Sequence, residues 1–232
     1  MRYYEYKYVI EPERLSYALA LMESLYGGTD PFPAGMVHSI YFDTVPLTCY
    51  QQCVNGSERK SKYRIRWYEG GQVHAQIKEK DLVGVSKMKG VLAMTAPTAT
   101  AHLPSFWQQL PFVAGHGDNV AMQARSAMMG PLLPLLRVSY YRRRYRSFDF
   151  RMNIDSAIAV EMTGRHPAGR VAKTMIPMAV MEIKTTQERP VLPFATAMVL
   201  RQDSFSKYML GIKLLTGEHD ALNRYVTVKG IY

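Results

Sequence analysis

Lys62-Tyr63-Arg64-Ile65-Arg66-Trp67-Tyr68 is the stretch on which the reading of this chain turns. As a strand it sends successive side chains to opposite faces, so Lys62, Arg64 and Arg66 line one side and Tyr63, Ile65 and Trp67 the other. The aromatic and β-branched face can pack into a core. The opposite face is a row of fixed positive charge, either a solvated exterior or the wall of an anion site.

Working outward, the same pattern recurs. Gly70-Gly71 joins the stretch to Val73–Lys80 as a hairpin, on which His74, Gln76, Lys78 and Lys80 share a face, and Lys87 and Lys89 form a further basic pair after Gly84. Near the start, Tyr4, Tyr6, Tyr8 and Ile10 alternate with Glu5, Lys7 and Val9. Residues 137–151 hold six arginines and one acid, and Tyr140 and Arg142 fall on one face while Arg143 points the other way. Arg151, Asn153 and Asp155 then alternate with Met152 and Ile154, and Glu182 and Lys184 share one face of the apolar run from Met178. Charges inside such a run need partners.

Other segments read as cover. Pro12 suits the first turn of a helix whose stripe, Leu15, Ala18, Leu19, Met22 and Leu25, ends at Gly27-Gly28. Val37–Asp43 reads as a strand, a short helical piece covers Leu47–Cys53, and Asn55-Gly56 turns the chain into the opening stretch. Between Val91 and Gly130 only Asp118 and Arg125 are charged, and this Ala- and Met-rich block is expected to be helical, its last helix capped at Asp118 or Asn119 and running to Met129. A loop at Gly164–Gly169 follows, and Ser204-Phe205-Ser206-Lys207-Tyr208 begins a final turn or helix.

Composition limits the partners. With 232 residues, 47% hydrophobic and 21% charged, the chain is expected to fold along its whole length as one domain, 1–232. Lys and Arg outnumber Asp and Glu by 29 to 19, and the excess of +10 draws polyanions: nucleic acid, nucleotides, polyphosphate or acidic lipid. Cys49 and Cys53 match neither a zinc cluster nor a redox pair, the start lacks the apolar core of a signal peptide, and no apolar run reaches the roughly 20 residues that span a bilayer. The expectation is a soluble, cytoplasmic protein. Neither a phosphate-binding glycine loop nor a nucleophile elbow is present, so phosphates would be held by side chains, for which the arginine fork and the lysine point charge are suited.

Lys and Arg mostly sit outside, so any one basic strand face is ordinary surface by default. Five such faces in one chain favour a site. If the strands curl into a barrel, their polar faces become a cation-lined interior that a multiply charged anion would relieve of its repulsion.

Glu5-Tyr6-Lys7-Tyr8, Tyr41-Phe42-Asp43-Thr44, Lys62–Tyr68, Tyr140-Tyr141-Arg142, Arg151–Asp155, Glu182-Ile183-Lys184 and Phe205-Ser206-Lys207-Tyr208, in this order and over nearly the whole chain, resemble the VTC domain of the triphosphate tunnel metalloenzymes, relatives of CYTH domains. The resemblance implies an α+β fold, an antiparallel β-barrel with helices packed outside. It implies that Lys7, Arg64, Arg66, Lys78, Arg142, Arg151 and Lys207 grip a triphosphate or product chain, and that Glu182, with Glu5, holds a divalent metal, Mn or Mg. Tyr140 would hydrogen-bond phosphate, and Lys87, Lys89 and Lys184 would extend the basic path. Eukaryotic members polymerise inorganic polyphosphate from ATP, so the implied activity is an ATP-dependent polyphosphate polymerase. The alternatives are a triphosphatase and a non-catalytic polyanion-binding module. The implied partners are ATP or another triphosphate and polyphosphate, with no nucleic acid, and any coupling to a membrane would need a separate protein. One position departs from the family: where it usually has Glu-x-Lys, this chain has Gln76-Ile77-Lys78.

Overall fold

Residues that alternate between apolar and polar build the principal strands, as Lys60–Tyr68 does with its buried Tyr63, Ile65 and Trp67. A computed structural model of the chain describes residues 4–82, 84–96, 103–163, 173–198 and 200–222. The strands are β1 (Tyr4–Ile10), β2 (Ala34–Asp43), β3 (Lys60–Tyr68), β4 (His74–Lys80), β5 (Val85–Val91), β6 (Leu133–Arg146), β7 (Phe150–Met162), β8 (Lys173–Ile176), β9 (Ala179–Thr185) and β10 (Arg201–Gln202). Hydrogen bonds order them β10-β1-β9-β7-β6-β2-β3-β4-β5, with β8 on β7. With α1 (Pro12–Tyr26), α2 (Thr48–Val54), α3 (Asn119–Ala127), α4 (Ala195–Met198) and α5 (Lys207–Leu215), the fold is α+β on an antiparallel sheet. Among the described residues no pairing closes that sheet into a barrel.

Two compact units interleave in sequence: Met1–Met36, Ser139–Ala159 and Met175–Tyr232 make the first, Val37–Val138 and Val160–Thr174 the second.

In the first unit, Tyr8 and Ile10 of β1, Met152 and Ile154 of β7, and Met181 and Ile183 of β9 form one core with Tyr145, Phe150 and Phe194. Helix α1 covers it with Ala18 and Met22, four residues apart and both fully buried. Truncating a side chain as buried as Met22 to alanine costs about 2–5 kcal/mol. Leu25, at the end of the predicted stripe, is instead half exposed. Because these positions take the core, their neighbours in β1, β7 and β9 stand on the opposite face: Glu5, Lys7, Arg151, Asn153, Asp155, Glu182 and Lys184.

In the second unit, β2 to β5 pair in succession, and Trp107, wholly buried, meets Phe42, Tyr63 and Phe112 edge-on at 5.3, 5.5 and 6.2 Å between ring centres. Asp43 ends β2 by accepting the backbone N–H groups of Thr44, Cys49 and Tyr50, and Thr44 Oγ1 accepts that of Thr48, so Asp43-Thr44 starts α2. The block expected to be helical is largely not. Among its described residues only a single 3-10 turn at Trp107–Gln109 and α3 are helical. Pro104 and Pro111 remove donors there, and Gly115 and Gly117 adopt φ of +71° and +65°, conformations that end helices. Asp118 makes no side-chain cap on α3; its carboxylate accepts the N–H of Lys89 at 2.9 Å and fastens the loop to β5. A Cβ at Gly117 would lie 2.2 Å from the Lys89 carbonyl, so only glycine allows this approach. The Gly164–Gly169 loop lies outside the described residues. Among the described residues no helix is long and apolar enough to cross a membrane.

Candidate functional site

Strand register assembles the first unit's polar face. β1 pairs with β9 so that Glu5 stands opposite Lys184 and Lys7 opposite Glu182, and β9 pairs with β7 so that Lys184 stands opposite Arg151 and Glu182 opposite Asn153. Between β1 and β9 unlike charges face each other, an arrangement that stabilises cross-strand pairs, whereas between β9 and β7 Lys184 faces the like charge of Arg151. Lys184 Nζ lies 3.1 Å from Glu182 and 3.9 Å from Glu5, and Lys7 Nζ lies 3.3 Å from Glu5 and donates to the Phe205 carbonyl at 3.4 Å. Burial alone would raise the pKa of Glu182, but Lys184, Lys7, Arg142 and Lys207 hold it far below the usual carboxylate range. Glu182 is therefore ionised at every physiological pH.

Next to it stands a carboxylate whose importance the sequence concealed. Asp155 has no exposed surface, and both its oxygens are engaged: Arg142 donates from Nε at 2.6 Å and from Nη2 at 2.8 Å, and Lys207 donates from Nζ at 2.7 Å. Burial would raise its pKa too, but Lys207 and Arg142 lower it. Removing one partner from a buried ion pair of this kind costs about 3–5 kcal/mol. Lys207 opens α5, where Ser206 Oγ accepts the Met209 N–H as an N-cap. Both cations lie against the ring of buried Tyr140, with Lys207 Nζ 4.8 Å and Arg142 Cζ 5.3 Å from its centre.

The structure thus brings Glu5, Lys7, Tyr140, Arg142, Glu182, Lys184 and Lys207 together, with Arg151 exposed at the margin of the same face. Expected as bare phosphate grips, these cations already hold carboxylates. Arg142 gives its fork to Asp155 and keeps the Nη1 donors; Lys207 keeps two of its three N–H donors.

The second unit carries a basic face of its own. Across β2, β3, β4 and β5 the register sets Tyr41, Arg64, Gln76 and Lys89 in one row and Lys62, Lys78 and Lys87 in the next. Like charges directly opposite one another destabilise a sheet, and an anion laid along the row would offset that. Gln76 Oε1 accepts from Arg64 Nε at 3.0 Å and Nη2 at 2.8 Å, Arg64 Nη1 donates to the Tyr41 hydroxyl at 3.1 Å, and Arg66 Nε donates to Ser39 Oγ at 3.0 Å. Gln76 thus orients Arg64 with a neutral acceptor. Burial would raise the pKa of Tyr41, but Arg64, Arg66 and Lys62 lower it to about 7.

The donor set suits a hard cation. Glu5 and Glu182 lie diagonally on adjacent strands, and one or two carboxylates with waters and phosphate oxygens are what Mg²⁺ or Mn²⁺ takes. Among the described residues no group of three or more His, Cys, Asp or Glu forms a closed cage.

Sequence alternation found the faces but missed Asp155 as the partner of two cations and Gln76 and Tyr41 as supports of Arg64. The polar parity of Asp155 was visible; its burial was not.

Among solved structures, the chain is similar to a putative adenylate cyclase from Bacillus halodurans, at 14% identity and a TM-score of 0.48 over 96% of both chains. It is also similar to a putative adenylate cyclase from Vibrio parahaemolyticus, at 11% identity and 0.43 over 90% of this chain and 97% of that one. A conserved hypothetical protein from Pyrococcus furiosus is similar at 10% identity and 0.38, over 93% and 91%. No curated protein matches the chain. The model of the VTC domain matches residues 2–216, nearly the whole length, and the chain belongs to the VTC domain family.

Proposed function

We propose that this protein is an ATP-dependent inorganic polyphosphate polymerase that transfers the γ-phosphate of ATP to a growing polyphosphate chain. The observation that carries the reading is an ionised, nearly buried Glu182 ringed by Lys184, Lys7, Arg142 and Lys207 on one sheet face. Membership of the VTC family supports it.

Glu182 and Glu5 would hold Mg²⁺ or Mn²⁺, which when bound draws charge from the phosphoryl oxygens. Lys7, Lys184, the Nη1 edge of Arg142 and the remaining donors of Lys207 bind the triphosphate and stabilise the charge on its oxygens as the bond to the β–γ bridging oxygen breaks. A terminal oxygen of the acceptor chain, already anionic at neutral pH, attacks the γ-phosphorus in line and ADP leaves with the bridging oxygen. No strong general base is demanded. Arg151 and the second unit's Arg64, Arg66, Lys78, Lys87 and Lys89 bind polyanion.

Incubation of the purified protein with ATP and Mn²⁺ tests this. Long-chain polyphosphate formed together with ADP is the expected result. Release of orthophosphate alone would make the protein a triphosphatase, and binding without turnover a polyanion-binding module.

A further inference from the structure

We propose that Asp155 is a positioning residue that fixes Arg142 and Lys207 as a preorganised pair for the transferred phosphoryl group, an inference that rests on the function proposed above. Three observations carry it. One carboxylate, without exposed surface, takes three hydrogen bonds of 2.6 to 2.8 Å from two cations that belong to different elements, β6 and α5. Both cations lie on the same Tyr140 ring, where two positive groups would otherwise repel each other. Asp155 also stands on the polar face of β7 together with Asn153, which pairs with Glu182, and not in the apolar core beneath.

One carboxylate offers about four acceptor sites against the N–H donors of an arginine and a lysine together, so it can hold both cations without occupying all their donors. Here the fork of Arg142 is held while Nη1 remains, and Lys207 is held by one of three protons, so orientation is fixed and donors are left over. Fixed donors that need no rearrangement as charge develops are the source of electrostatic catalysis. Asp155 also lowers the charge of the trio from +2 to +1, which weakens ground-state attraction for an anion. Charge and orientation therefore have opposite effects on binding and turnover, and that separates positioning from mere support.

Asp155→Asn keeps the shape and removes the charge. In isothermal titration it is expected to bind tripolyphosphate at least as tightly as wild type, while kcat with ATP and Mn²⁺ falls about 10- to 100-fold, the range for losing a carboxylate that supports a liganding group. Asp155→Glu, which retains the charge but displaces it, is expected to recover part of kcat. A folded Asp155→Asn variant, judged by near-ultraviolet circular dichroism, with kcat within twofold of wild type would overturn the proposal. Loss of binding and turnover together would also overturn it, because the carboxylate then only holds up the site. Should Asp155→Asn not fold, Asp155→Glu decides: lowered kcat with intact binding supports positioning, and full kcat refutes it. Wild type that neither binds tripolyphosphate nor turns over ATP sinks the proposed function and this inference with it, and that outcome is read before any variant is made.

Discussion

Tyr41 reports the charge of its surroundings. Its hydroxyl accepts from Arg64, and with Arg66 and Lys62 nearby its pKa is about 7 against an ordinary value of 10.0. A group whose folded pKa is depressed contributes stability above its unfolded pKa and loses it as pH falls through the folded one. Stability should therefore rise between pH of about 7 and about 10 as the folded state gives up this proton first. Tyrosinate absorbance should show one of the 16 tyrosines titrating near 7, and Tyr41→Phe should remove that step. Tripolyphosphate bound at Arg64 and Arg66 would offset their charge and move the step to higher pH. A titration with no step below the ordinary tyrosine range would mean that these cations are neutralised in solution. Glu182 gives the second prediction at this scale. Glu182→Gln keeps shape and burial but cannot supply an anionic oxygen, so turnover should vanish while near-ultraviolet circular dichroism is unchanged; retained metal-dependent turnover would remove Glu182 from the mechanism.

Two elements deliver side chains to the first unit's polar face by local devices that can be tested separately. The start of α5 depends on Ser206 accepting the Met209 N–H, so Ser206→Ala should cost about 1 kcal/mol in denaturant unfolding. It should also loosen Lys207, the first residue of the helix. An unchanged midpoint would show that the Asp155–Lys207 pair alone holds that end. In β7, Ala157 has a φ of +49°, two residues beyond Asp155. A left-handed conformation costs an L-residue about 1–2 kcal/mol, part of which glycine returns as lost unfolded-state restriction. Ala157→Gly should raise the unfolding midpoint, and a lowered one would mean the methyl group makes a contact worth more than the strain. Elements with strict alternation were legible because a period of two is local: β1, β3 and β9 lie where the patterns of residues 3–10, Lys62–Tyr68 and Met178–Lys184 placed them, within one or two residues. The block from Val91 to Gly130 was misread because scarcity of charge marks burial and not helix. Its prolines and glycines were the better guide, and Trp107 buries itself among Phe42, Tyr63 and Phe112 from a single turn.

At the scale of the whole molecule, sharing of a face was readable and partnership was not. Lys7 and Glu182 are 175 positions apart and meet through register, and Lys207 reaches Asp155 from a helix 52 positions on. No local pattern encodes either distance, so in the first unit the sequence showed rows of cations where the structure shows cations held by Glu5, Asp155 and Glu182. That difference bears on selectivity. A net charge of +10 attracts every polyanion, and binding that depends on counterion release alone weakens steeply with salt. Cations fixed by carboxylates keep their spacing whatever the ligand, and a compact triphosphate can engage several at once where a stiff duplex, with phosphates on a helical track, cannot. Tripolyphosphate should therefore displace a fluorescent ATP analogue at a phosphate concentration at least about tenfold below that needed of duplex DNA, and the margin should widen as salt screens the duplex toward a Debye length of about 8 Å. Equal displacement by the two at physiological salt would mean that overall charge, and not the arrangement around Glu182 and Asp155, governs binding.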